Sequence, residues 1–222
     1  MQKINVCIVD DHNLFRKAIV RLIKTFNCIG EVTDAGNGKE CLELFKKNTP
    51  DVVLLDLEMP VMNGVDTAEI LVTKYPELKI IILTMHDSEN FILHLMEMGV
   101  HSILLKNTDP TELEKAILSV VEKDFYHNEL ISSVLRKSVI GHAKAERPVF
   151  AHNKLALLSE REKIVLTLLC RNESTNKEIA EKMNLSLRTI EGIRADIFEK
   201  LELKSAVGLV KFAYHAGLMG DF

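Results

Sequence analysis

Five polar residues stand directly beyond apolar runs. Asp10 and Asp11 follow "INVCIV" (4–9), Asp56 follows "VVLL" (52–55), Thr84 follows "KIIIL" (79–83) and Lys106 follows "HSILL" (101–105). If those runs are strands of one parallel sheet, their carboxyl ends share an edge, which is where open α/β sheets bind ligands. A buried lone carboxylate is costly, and three crowded ones raise one another's pKa. A divalent cation and Lys106 would relieve both. Oxygen-only ligands suit a hard ion such as Mg²⁺, which takes few carboxylates, keeps water and shares a phosphate. No GxGxxG follows the first run and no Walker sequence occurs, which disfavours a nucleotide. What remains is a carboxylate nucleophile accepting a phosphoryl group beside a metal, with Thr84 and Lys106 holding the phosphoryl oxygens. An acid after one strand is usually a cap or a turn; five such residues on one edge are poorly explained that way.

The elements that must position them are legible in outline. A weaker apolar run lies near "CIGEVT" (28–33), and segments of helical spacing separate the runs: Leu14, Ala18, Ile19, Leu22 and Ile23; Ala68, Ile70 and Leu71; Phe91, Leu95 and Met98; Leu113, Ile117, Val120 and Val121. "SENF" at 88 and "DPTE" at 109 are helix starts, the second with Pro110 at the first helical position. Alternating strands and helices predict an α/β domain with a parallel sheet, and continuous runs such as "VVLL" predict strands covered on both faces.

The pattern changes from about residue 124. "FYHNELISSVLRKSV" has the makings of a helix, and "IGHAKAERPVFAHNK" reads as a linker. Short helices follow, with capping boxes at "SERE" (159–162) and "TNKE" (175–178). Ser186 is an N-cap with Leu185 and Ile190 spaced as a hydrophobic staple, and a last helix runs from near Ser205 to near Gly217. The division expected is 1–123, then a helical segment and linker over 124–158, then 159–222.

The composition, 47% hydrophobic and 27% charged, is that of an ordinary soluble chain. No apolar run approaches the roughly 18 residues of a membrane span, and "MQKINVCIVDDH" does not read as a signal peptide. Cys7, Cys28, Cys41 and Cys170 form no CxxC, so reduced thiols in a cytoplasmic protein are expected. Residues 1–123 hold 13 Lys and Arg against 19 Asp and Glu, net −6, which excludes nucleic-acid binding there; residues 159–222 hold 10 against 10.

"IVDDH", "LLDLEMPVMNG", "ILTMHD" and "LLKN" resemble the receiver domain of two-component response regulators. "LSEREKIVLTLLCRNESTNKEIAEKMNLSLRTIEGIRADIFEKLELKS" resembles the LuxR-type helix-turn-helix. Together they resemble the NarL/FixJ class over nearly the whole chain. The resemblance implies an α/β plus all-α architecture: a flavodoxin-like, doubly wound, five-stranded parallel sheet, then a four-helix helix-turn-helix domain.

The resemblance also implies roles. Asp56 falls on the phosphoacceptor, Asp10 and Asp11 on the Mg²⁺-binding pair, Glu58 on a ligand through its backbone carbonyl, and Thr84 and Lys106 on the switch hydroxyl and phosphate-pairing lysine. The partners implied are a sensor histidine kinase, double-stranded promoter DNA and a second copy of the chain after phosphorylation. The only catalysis implied is self-phosphotransfer and self-dephosphorylation. The chain departs from the pattern in three respects: Ile103 replaces a common aromatic, so a switch without an aromatic rotamer is expected, with His101 and His86 as substitutes; Asn107 replaces a common proline after Lys106, leaving that peptide geometry open; Glu58 and His86 occupy positions that tune phosphate lifetime.

In the second domain the helix pair 175–183 and 186–200 resembles the DNA-reading unit. Arg188, Thr189, Glu191, Gly192, Arg194, Ala195 and Lys204 are the candidate DNA contacts. With no net positive charge, one domain should bind DNA weakly, so dimerisation is expected through the last helix, whose Val207, Leu209, Val210 and Ala213 form an apolar stripe expected to be mostly core and only in part interface. That neutrality keeps open an output domain that binds a protein. A Mg²⁺-dependent phosphatase with Asp56 as nucleophile and Glu58 as general acid is the third reading.

Overall fold

The computed structural model describes residues 3–85, 88–142, 154–170, 175–203, 206–216 and 218. The chain divides into two compact units, Met1–Phe125 and Tyr126–Phe222.

In the first unit strands and helices alternate: β1 (Ile4–Val9), α1 (Asn13–Ile23), β2 (Ile29–Ala35), α2 (Gly38–Phe45), β3 (Val52–Asp56), α3 (Gly64–Lys74), β4 (Lys79–Thr84), α4 (Glu89–Met98), β5 (Ser102–Leu105) and α5 (Pro110–Lys123). Every strand pairing is parallel and the order is β2-β1-β3-β4-β5. The chain thus steps one way from β1 to β2 and the other way from β1 to β5. With right-handed crossovers, α1 falls on one face and α2, α3 and α4 on the other. Those three pack in succession, and α5 lies over β4 and β5. The order reverses between β1 and β3, so a crevice opens beyond their carboxyl ends.

The central strands form a dry core. Val52 to Leu55 and Ile80 to Ile82 are fully buried. Ile103 is fully buried too, beside Ile82 in the sheet, which makes it a packing residue. β2 is an edge strand with exposed Gly30 and Glu31, which explains its weak apolar signal; it runs to Ala35, two residues beyond the stretch expected. The helix starts follow their capping residues. Asn37 and Asn63 accept from the backbone N–H groups of Glu40 and Asp66, and Asp109 accepts from Thr111 with Pro110 at the first turn. Ser88 also occupies an N-cap, but without a side-chain hydrogen bond.

The second unit is helical: α6 (Glu129–His142), α7 (Glu160–Cys170), α8 (Asn176–Met183), α9 (Leu187–Leu201) and α10 (Ala206–His215). α6 runs three residues into the stretch read as linker, carrying Gly141 in its last turn, and it packs against α10. Residues 143–153, the rest of that stretch, lie outside the described residues, as do Ser205 and Gly217. Both capping boxes form. Ser159 and Glu162 exchange bonds at α7, and Thr175 and Glu178 do so at α8. α7 packs against α8, α9 and α10. On α10, Leu209, Val210 and Ala213 are buried within the unit; the side chain of Val207 is outside the description. These three pack inward, as expected for most of the stripe. Among the described residues no helix is long and apolar enough to cross a membrane.

Candidate functional site

The crevice beyond β1 and β3 gathers the predicted carboxylates. Asp10, one residue past β1, and Asp56, the last residue of β3, are buried to within 1% and 3% exposure. Asp11 is half-buried beside them. One carboxylate oxygen each from Asp10, Asp11 and Asp56 and a ring nitrogen of His12 lie within 4.8 Å of one another.

Lys106, one residue past β5, closes the group. Its Nζ is 2.8 Å from Asp10 Oδ2 and 2.8 Å from Asp56 Oδ2. It also stands 5.1 Å from the centre of the Phe15 ring, at cation–π distance. Its backbone N–H donates to the carbonyl oxygen of Thr84, the buried last residue of β4. Thr84 and Lys106 therefore sit on the same edge as the acids. The peptide bond from Lys106 to Asn107 is trans.

The fixed oxygens are the outer ones. Asp56 Oδ1 accepts from Leu57 N at 2.8 Å, and Asp10 Oδ1 accepts from His12 N at 2.7 Å. The inner atoms, Asp10 Oδ2, Asp56 Oδ2 and Asp11 Oδ1, receive no aligned hydrogen bond from the described residues. Lys106 meets the first two, and His12 Nδ1 meets the third at 2.9 Å, by ion-pair distance alone.

Burial pushes the Asp56 carboxyl above the usual carboxylate range; Lys106 pulls against that rise and Asp10 adds to it. Burial pulls Lys106 down, but its two carboxylate partners outweigh burial and hold it above the ordinary lysine value.

Gly64 shapes the loop that leaves β3. A Cβ at Gly64 would lie 2.0 Å from the Asp56 carbonyl oxygen, and Gly64 N donates to Leu57 O at 2.9 Å. The glycine lets α3 start against the backbone of the acidic residue, which explains why the run from Asp56 ends in "NG". Between them Val61 holds φ at 70° and is 80% exposed, a left-handed conformation that a β-branched residue rarely adopts.

The second unit presents α9 as its recognition-type helix. Asn184, in the left-handed conformation, ends α8, and Leu185 N returns to Ala180 O. Ser186 caps α9 by accepting from Thr189 N. Ile190, Ile197 and Leu201 face the unit's core. Arg188, Thr189, Glu191, Gly192 and Ala195 are exposed. Thr189 Oγ1 lies 2.7 Å from the capping hydroxyl of Ser186. Arg194 is half-buried, its guanidinium 5.5 Å from the Phe198 ring centre. Lys204 and His86 lie outside the described residues.

Two family models match the chain: the response regulator receiver domain over residues 6–118, and the bacterial regulatory proteins of the luxR family over residues 156–213. The chain belongs to the response regulators. It is 33% identical over 215 residues to the response regulator UvrY of Escherichia coli strain K12, covering 97% of this chain and 95% of that one. It is 30% identical over 210 residues to the transcriptional regulatory protein DegU of Brevibacillus brevis, covering 90% and 89%. Among solved structures, the receiver domain of the putative response regulator NarL from Mycobacterium tuberculosis is 32% identical, with a TM-score of 0.52 over 55% of this chain and 98% of that one. An RcsB–DNA complex shares the fold at 24% identity and a TM-score of 0.57, over 96% and 99%. This response regulator thus carries a receiver domain and a LuxR-type DNA-binding domain, and its relatives are transcriptional regulators.

Several residues of the regulator's acidic site gave no signal in the chain. Arg16 donates from Nη1 to the Asp10 carbonyl oxygen and from Nε to Asp34 Oδ2 at 2.9 Å, and Lys17 joins the same Asp34 carboxylate at 2.9 Å. Only the pairing of β1 with β2 brings Asp34 there. His12, Phe15 and Gly64 likewise gain their roles from the fold.

Proposed function

We propose that Asp56 is the phosphoacceptor of this response regulator and that a sensor histidine kinase is the donor. The observation that carries the reading is Lys106 Nζ at 2.8 Å from both Asp10 Oδ2 and Asp56 Oδ2. Asp56 thereby stands at a sheet edge, with Oδ1 accepting from Leu57 N and Oδ2 beside Lys106 Nζ. In the transfer, the N–P bond of a phosphohistidine breaks and an O–P bond to Asp56 forms.

The inner oxygens of Asp10, Asp11 and Asp56 suit a hard divalent cation, Mg²⁺ by their chemistry, with the Glu58 carbonyl as a further donor. The ion would neutralise charge on the phosphoryl oxygens. Lys106 would pair with the phosphate, which adds about −1.5 to −2 charge near pH 7, and the Thr84 hydroxyl would take a second oxygen. Drawing these two side chains together would bias a two-state equilibrium in the receiver domain. With Ile103 locked in the core, that switch runs without an aromatic rotamer.

In this reading residues 1–123 receive the signal, 124–158 connect, and 159–222 deliver it by binding double-stranded DNA as a homodimer. α9 enters the major groove, with Arg188, Thr189, Glu191, Gly192, Arg194, Ala195 and Lys204 at the DNA. The regulator acts in the cytoplasm, where its four free thiols stay reduced, and catalyses only its own phosphotransfer and dephosphorylation. The equal counts of acid and base in 159–222 favour one competing reading, an output domain that binds a protein. A salt series of duplex binding separates them. Phosphorylation should tighten binding, and added salt should weaken it with a clear log–log slope; no duplex binding in either state would contradict the DNA reading.

A further inference from the structure

Helix α9 contains a glycine that its own unit does not require. Gly192 is helical and exposed, and among the described residues a Cβ placed on it would meet no atom within 4 Å. Gly38 and Gly64 are the contrast: a Cβ there would strike Thr67 Oγ1 at 1.9 Å and Asp56 O at 2.0 Å. A glycine in an exposed helix interior is destabilising relative to alanine, because it loses more chain entropy on folding. No contact among the described residues offsets that loss.

The surroundings of Gly192 point outward. Arg188, Glu191 and Ala195 are exposed with it, on the side of α9 away from buried Ile190, Ile197 and Leu201. The N-terminal residues of a recognition helix are the ones that reach base edges. A carboxylate at that place is repelled by phosphates, and the DNA group that rewards it is the N4 amino group of cytosine in the major groove. A glutamate is shorter than an arginine or lysine, so it reaches the groove floor only if the helix comes close. Removing the Cβ at the next position allows that approach. Ala195, one turn further on, offers a methyl suited to contact with a thymine methyl.

We infer that Gly192 is the point of closest approach between α9 and DNA, and that Glu191 selects a cytosine there. The inference rests on the DNA-binding reading above. The test is selection of duplexes from a random pool at fixed salt by the full-length chain treated with an acyl phosphate, for wild type, Glu191→Gln and Gly192→Ala. The wild type selects cytosine at one position and loses about fivefold or more in affinity when that base pair is changed. Glu191→Gln shifts the preference at that position to adenine, which glutamine reads through N6 and N7. Gly192→Ala raises the thermal midpoint of unfolding and weakens duplex binding, two effects of opposite sign that a purely structural glycine would not produce. An unchanged consensus for Glu191→Gln, with uniformly tighter binding, overturns the inference and makes Glu191 a solvated acid. Gly192→Ala that stabilises the chain without loss of affinity also overturns it. Absence of any selected duplex for the wild type overturns the DNA-binding reading itself.

Discussion

Lys106 Nζ stands 2.8 Å from Asp56 Oδ2, and both side chains are largely withdrawn from water. The pair links the ends of β3 and β5 across the terminal residue of β4. Lys106 favours the charged form of the carboxylate, which burial opposes, at the place where an apolar strand delivers it.

That opposition sets a dependence on pH. Burial leads the causes that raise the Asp56 carboxyl above its unfolded value. A raised carboxyl stabilises the fold below its unfolded pKa, and this contribution is lost as pH rises through the folded value. At neutral pH the ionised Asp56 therefore works against folding. Asp56→Asn should raise the thermal midpoint at pH 7 in the presence of a chelator, and the gain should shrink as pH falls toward about 4. Melting curves over that range check it; a gain independent of pH would contradict the sign.

Gly64→Ala should be strongly unfavourable. Its Cβ would meet backbone atoms, the Asp56 carbonyl oxygen at 2.0 Å and Leu57 Cα at 2.7 Å, so the loop must move. A loss of about 1–3 kcal/mol in denaturant unfolding is expected, with slower phosphorylation because the displaced segment carries Asp56.

Val61→Gly should act in the opposite direction. The residue is exposed with φ at 70°, so glycine relieves backbone strain while removing little packing. After the entropy glycine loses on folding, a net gain of about 0.5–1 kcal/mol is expected. Equilibrium unfolding of the two proteins side by side measures it, and a loss of stability would show that Val61 is not strained.

In the second unit Glu162 both caps α7 through Ser159 and meets Lys200 of α9 at 2.7 Å. Lys200 is the first cause holding the Glu162 carboxyl below its usual range. Its stabilising contribution is present above the unfolded glutamate pKa and is lost as pH falls through the depressed value. Glu162→Gln keeps a capping-box residue but loses the charge facing Lys200, so it should cost about 0.2–1 kcal/mol at pH 7, and the difference from wild type should narrow in acid. Thermal melts at both pH values read this out.

The acids, Lys106 and the sheet were legible because a buried parallel strand is a continuous apolar run, and the residue after it marks the functional edge. Asp10, Asp11, Asp56, Thr84 and Lys106 all carry that signal. The edge strand β2 was only half visible because one of its faces is wet. α2 was harder still: in eight residues only Gly38, Cys41 and Phe45 are buried. Arg16, Asp34 and Phe15 were not legible as part of the site, since their contacts depend on which strands pair. On α9 the exposed residues were named, but spacing alone did not distinguish Arg194, whose guanidinium lies over Phe198, from Arg188, which is exposed.

On the proposed function, Asp56 is held at the sheet edge in order to be phosphorylated. Intact-mass measurement after incubation with a small acyl phosphate and Mg²⁺ tests it most directly, on wild type and Asp56→Asn. A gain of one phosphoryl group, dependent on the metal, is expected on the wild type, and none on Asp56→Asn. An equal gain on both proteins, or no gain on a folded wild type, would contradict it.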